Sequence, residues 1–202
     1  MKAIITTLPG KSVLQEVPMP EMNEDSVLIQ LKYCGVCYSE HYEWKTNGGA
    51  FGHEPMGTIV QVGKNVEGFS VGDRVSGLWG APSRRGGMVQ YAVANPSKDT
   101  VVKLPENVRD EDLVLEPLAC IYSAVSKAHC SMPGTHVCVV GCGYMGCGAI
   151  SLLKAHGCYV VAVDIRESSR GDALKYGAQE AYSPQEALEN TELNPATPVL
   201  RW

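Results

Sequence analysis

Long apolar runs are missing from this sequence. None approaches the roughly 18–20 residues a membrane-spanning helix needs, so no membrane partner is expected. A strong charge of one sign is missing too: the net charge of −5 offers no electrostatic reason to bind nucleic acid or anionic lipid. The opening "MKAIITTLPGKSVL" lacks the apolar core of a secretory signal and reads as a first strand followed by a turn, which makes the cytoplasm the expected location. No internal repeat is visible. A second C-x-x-C is absent as well, so Cys34 and Cys37 have no matching pair with which to build a closed structural zinc site.

What remains is the make-up of a globular protein, 45% hydrophobic and 19% charged, which argues against disorder. The eight cysteines, at 34, 37, 120, 130, 138, 142, 147 and 158, read as buried thiols and metal ligands rather than as a disulfide framework. Six of them, from Cys120 onward, are expected as small core or near-core residues. Cys34 is expected to pack in a strand. His129, His136 and His156 lack a partner at ligand spacing and are expected at the surface, and Arg84 and Arg85 in a solvated turn.

The first hundred or so residues alternate short Val/Ile/Thr-rich runs with Gly, Pro, Asn and Asp. "KAIITTL", "SVLIQLKYCGV", "MGTIVQVG", "DRVSGL", "MVQYAVA" and "TVVKL" read as strands of an all-β unit. From Asp110 to His129 the apolar spacing turns helical, with Pro133-Gly134 closing the segment. A strand, a Gly-rich turn, a helix, a strand and a helix follow, then a short strand. That βαβα order implies a parallel sheet.

"VCVVGCGYMGCG" places Gly141, Gly143 and Gly146 in the G-x-G-x-x-G pattern after a buried-type strand and at the start of a helix. Tyr144 and Met145 lie inside the turn. Asp164 ends the next strand at about the spacing a dinucleotide fold requires. The first glycine makes the tight turn, the second admits a pyrophosphate and the third packs helix on strand; the helix N-terminus attracts the phosphates. Asp164 would bind both ribose hydroxyls and repel a 2′-phosphate, which favours NAD over NADP, and Arg166 weakens that preference.

Two segments hold metal-ligand chemistry. "YCGVCYSEHYEW" offers Cys34, Cys37 and His41; "FGHE" offers His53 and Glu54. Thiolate and imidazole suit zinc, and a catalytic site needs three protein ligands and one open position. Gly52 and Gly57 are expected to bend the backbone around such an ion.

At this point the chain resembles a known family. "GHEPMGTIVQVGKNV" is similar to the zinc signature of the medium-chain dehydrogenase/reductase superfamily, the zinc-containing alcohol and polyol dehydrogenases. "CGVCYSEH", "VEGFSVGDRV", "LEPLACIYSAV", "VVGCGYMG" and "AVDIRES" resemble its other motifs in the family's order, from Met1 to roughly Tyr182. The resemblance implies an α/β chain. Residues 1–115 would form an N-terminal GroES-like β-barrel domain and residues 116–182 an incomplete Rossmann βαβ dinucleotide-binding domain with its linking helix; residues 183–202, outside the resemblance, read as an irregular tail with one short helical stretch.

It also implies roles. Cys37 and His53 are the implied zinc ligands, with Glu54 beside the metal and Glu116 where polyol dehydrogenases place a glutamate near it. Ser39 would carry off the substrate proton. Glu40 stands where the family usually has Asp, orienting the ligand imidazole. The family's relay histidine lies one position beyond His41. The cysteine-rich lobe of fuller members is lacking, so a single catalytic zinc is expected.

The implied activity is hydride transfer from a secondary alcohol, polyol or similar small molecule to NAD, in a homo-oligomer at full length. A βαβ unit takes about 30 or more residues, and too few follow Val137 for the second half of the sheet. The chain is therefore expected to be a shortened member. The alternative is a non-catalytic remnant that binds zinc and part of a dinucleotide.

Overall fold

The computed structural model describes residues 1–46, 51–79, 87–112, 114–190 and 197–202; Arg84 and Arg85 lie outside them. The chain divides into two units, Met1–Glu116 and Pro117–Trp202. No helix among the described residues is long and apolar enough to cross a membrane.

Strands dominate the first unit. Pro9-Gly10, with Gly10 at φ +76°, turns β1 (Lys2–Leu8) back onto β2 (Lys11–Glu16) as an antiparallel pair. The second of these strands was not legible in the sequence, because all six of its residues are exposed and no apolar face marks it. The larger sheet contains β3 (Val27–Gly35), β4 (Glu54–Val62), β5 (Arg74–Leu78), β6 (Tyr91–Ala94) and β7 (Thr100–Lys103). Its antiparallel order is β6-β3-β4-β5-β7. Val27, Ile29, Ile59, Val75, Trp79, Ala92 and Ala94 bury its inner face, so Trp79 is a core residue. A helix, α1 (Tyr38–Thr46), follows β3 directly. Its apolar residues do not segregate to one face, which hid it from the periodicity.

The second unit begins with α2 (Glu116–Lys127), whose Pro117, Ile121 and Val125 are buried; its first residue, Glu116, belongs to the preceding unit. Parallel strands β8 (His136–Val140), β9 (Tyr159–Val163) and β10 (Glu180–Tyr182) alternate with α3 (Tyr144–Ala155) and α4 (Glu167–Lys175), as the βαβα pattern requires. Val137, Val139, Val160 and Ala162 face Ile150, Leu153 and Ala173 in one core. Cys130, Cys142, Cys147 and Cys158 are buried free thiols, whereas Cys120 is exposed. His129 and His136 are exposed, and His156 is half-buried.

The tail contains the short helix its sequence suggests and, beyond its irregular reading, a strand. Ser183 and Glu186 form a reciprocal capping box with Pro184 behind the cap, starting α5 (Pro184–Glu189). Val199–Arg201 forms β11, parallel to β8, and the sheet order becomes β10-β9-β8-β11. Leu200 packs on the core, which holds this three-residue strand in place.

Candidate metal centre and dinucleotide turn

The β3–β4 ladder builds the first site. Its last rung pairs Gly35 with Glu54, so the chain just beyond β3, carrying Cys37, meets the chain just before β4, carrying His53. Cys37, His53 and Glu54 each offer a ligand atom, and the three atoms lie within 4.8 Å of one another. The ligand atoms of a tetrahedral zinc site stand about 3.3–3.8 Å apart, given metal–ligand bonds of about 2.0–2.3 Å. Small side-chain rotations close that gap. A sulfur, an imidazole nitrogen and a carboxylate oxygen form a donor set that suits zinc.

Glu40 is the hub behind this triad. It is only 4% exposed and sits in the first turn of α1. Its Oε1 accepts from Gly52 N at 2.5 Å, His53 N at 3.1 Å and His53 Nδ1 at 3.0 Å, while Oε2 accepts from Cys37 N at 3.2 Å. With Nδ1 donating to Glu40, the imidazole turns Nε2 outward, 4.0 Å from Glu54 Oε1.

Ser39 is exposed, and its hydroxyl donates to Cys37 Sγ at 3.3 Å. Burial pushes the Glu54 carboxyl above the usual glutamate range; His53 opposes that rise, and the Glu116 and Glu40 charges add to it. Glu116 therefore stands within electrostatic reach of Glu54 but outside the triad. Burial also pushes the Cys34 thiol up to about 12, and the nearby carboxylates of Glu40 and Glu54 add to the rise. Cys34 remains a protonated thiol in its strand. His41 is exposed and joins Tyr38 and Trp44 in a run of tilted ring contacts along α1, at 5.7 and 5.9 Å.

Of the two glycines expected to bend, only Gly52 does. It has φ +95°, and a Cβ there would strike the backbone nitrogens of Gly87 and Met88. Gly57 lies in regular strand, where a Cβ would meet the Gln30 carbonyl and the Ile29 side chain. It allows β3 and β4 to approach closely.

In the second unit the three fingerprint glycines have different surroundings. Gly141 has φ +93°, a Cβ on Gly146 would run into the Gly141 carbonyl, and Gly143 faces open space. Tyr144 and Met145 open α3, with Gly143 at its N-cap. A cavity of about 580 Å³ flanks the turn, with Gly143, Tyr144 and Arg166 in its wall.

Asp164, 8% exposed, accepts from Cys142 N at 2.7 Å through Oδ2 and from Arg166 N at 2.8 Å through Oδ1. Burial alone would raise its carboxyl, but these two N–H groups and the Arg166 guanidinium, 3.6 Å away, hold it below the usual range. Arg170, not singled out from sequence, donates from Nη1 to the Asp164 and Ile165 carbonyls at 2.9 and 3.2 Å. An arginine one turn into the helix after the strand is the cue that could have found it.

Two domain families match the chain. Residues 23–106 match the alcohol dehydrogenase GroES-like domain. Residues 136–195 match the NAD binding domain of 6-phosphogluconate dehydrogenase. An alcohol dehydrogenase of Geobacillus stearothermophilus is 30% identical over 214 residues, covering 88% of this chain and 62% of the relative. A sorbitol dehydrogenase of Halalkalibacterium halodurans is 32% identical over 193 residues, with 80% and 55% covered. The structure of galactitol-1-phosphate dehydrogenase from Escherichia coli superposes with a TM-score of 0.79 at 24% identity, over 92% of this chain and 62% of that one, which shows a shared fold. The chain spans about three fifths of the length of the curated relatives it matches.

Proposed function

The chain belongs to the zinc-containing alcohol and polyol dehydrogenases, which join a GroES-like domain to an NAD-binding domain, and on that footing we propose that it oxidises a secondary alcohol, polyol or similar small substrate by hydride transfer to NAD. One observation carries the reading: three unlike donors, Cys37, His53 and Glu54, converge within 4.8 Å around an imidazole already oriented by a buried carboxylate. These residues would hold a single zinc, with Glu116 as the further acid beside it. Zinc held there supplies Lewis acidity, of the kind that brings bound water to a pKa of about 7. NAD supplies the hydride acceptor.

The chain's own groups do the rest. Glu40 holds the Nδ1 proton of His53 and fixes the ring. The Ser39 hydroxyl beside Cys37 Sγ accepts the substrate proton and passes it to water. In the second unit, the free N–H groups at Gly143, Tyr144 and Met145 cradle the pyrophosphate. Asp164 accepts from the adenosine ribose hydroxyls, favouring NAD, and Arg166 moderates the exclusion of NADP. Glu116, where other alcohol dehydrogenases of the family have cysteine, leans the substrate class towards polyols, sugars or amino alcohols.

The test is reduction of NAD by the zinc-loaded protein with a panel of secondary alcohols and polyols, followed by absorbance. Steady turnover with at least one polyol is expected. Zinc and NAD binding without any turnover would instead favour the non-catalytic binder.

A further inference from the structure

We infer that Gly35 is a positioning residue for the metal centre, holding open the space into which the Glu54 carboxylate folds. The inference rests on the proposed metal-binding role of Cys37, His53 and Glu54. Gly35 ends β3 and is the rung partner of Glu54, the first residue of β4. Paired residues on neighbouring strands project their side chains to the same face, about 4.5–5.5 Å apart at Cβ. Here the glutamate lies across its partner: a Cβ on Gly35 would fall on Glu54 Oε2 and come within 3.0 Å of Glu54 Cβ and Cδ. The glycine is not needed for its backbone, which, unlike that of Gly52, lies outside the positive-φ region. It is needed for the empty volume above it.

That volume decides where the carboxylate goes. Glu54 is 7% exposed and turns its other oxygen, Oε1, toward His53 Nε2. A methyl group at position 35 would push the carboxylate off this rung and away from Cys37 and His53. The alternating pattern of the sequence places Gly35 in a strand and leaves its purpose unexplained; the ladder register supplies one. The glycine of "CGVC" and the glutamate of "GHE" thus form one unit, although they lie nineteen positions apart.

A double-mutant cycle on the full chain tests this, with zinc affinity read by chelator competition and the cobalt(II) absorption spectrum as a probe of ligand geometry. Gly35→Ala is expected to weaken zinc by about 10–100-fold, the scale of losing a group that orients a ligand, and to change the cobalt bands. In a Glu54→Ala background the same change is expected to do nothing further, because the group it displaces is gone. Unchanged zinc affinity in Gly35→Ala, or an equal loss in both backgrounds, overturns the inference while leaving the metal reading intact. A wild-type chain that binds no zinc overturns both. Should Gly35→Ala fail to fold, the double variant, which removes the collision, is expected to fold; its failure to do so also overturns the inference.

Discussion

The two candidate sites are built from opposite materials. In the first unit, side chains make the site: a thiol, an imidazole and a carboxylate lie within 4.8 Å of one another, and a second, buried glutamate accepts hydrogen bonds from Cys37 and His53. In the second, the absence of side chains makes it: Gly141 supplies a left-handed turn, Gly146 a close contact and Gly143 an open face. Metal binding needs particular donor atoms, so the first site is vulnerable to chemistry. Phosphate binding needs N–H groups and room, so the second is vulnerable to volume.

The largest expected effect is at the ligands. Cys37→Ala and His53→Ala should each lower zinc affinity by more than the about 10–100-fold typical of losing an outer hydrogen-bond partner, with metal in purified protein at background by elemental analysis. Stoichiometric zinc in both variants would contradict a site made by side chains. Glu40→Gln should come next, with a loss inside that 10–100-fold range, since it keeps the length of the hub but not its charge.

The glycine turn gives the converse test. Gly143→Ala should leave the melting temperature nearly unchanged, because nothing lies within 4 Å of the added methyl, yet weaken NADH binding measured by fluorescence titration. Gly141→Ala should destabilise the fold itself by about 1–2 kcal/mol, the cost of forcing a side chain into the left-handed region. Equal effects of the two on stability would erase the division of labour among these glycines.

The smallest effect separates scaffold from site within the first unit. Asp110 pairs with Lys32 at 2.7 Å and Arg74 at 2.6 Å, and their hydrogen bonds hold its carboxyl below the usual range. Because the folded state lowers this pKa, the stabilisation is full above the unfolded value of about 3.9 and fades as pH falls through the lower folded value. Asp110→Asn should therefore lower the melting temperature slightly at pH 7, make no difference at the acid end of a pH series, and leave zinc affinity untouched.

Much of this was legible in advance, for identifiable reasons. Cys37, His53 and Glu54 are chemically distinctive residue types in glycine-bounded segments, and the fingerprint glycines sit between a strand and a helix whose patterns are strong. The elements that escaped lack such signals. β2 has no buried face, α1 has no apolar stripe, and β11 is three residues long and visible only through its pairing with β8. Gly57 read as a bend because glycine alone does not say whether its purpose is dihedral freedom or space.

The order of residue types along the chain was enough to establish which donors are available, where the glycine turn falls and that a parallel sheet follows an all-β unit. Only the folded chain decided which candidates meet. Pairing Gly35 with Glu54 at the end of one ladder brings together Cys37 and His53, sixteen positions apart, and Glu40 aims the His53 ring. It likewise left His41 in a row of ring contacts along α1 and Cys34 as a half-buried thiol. Ladder register and burial depend on distant partners, and no local stretch of sequence carries them.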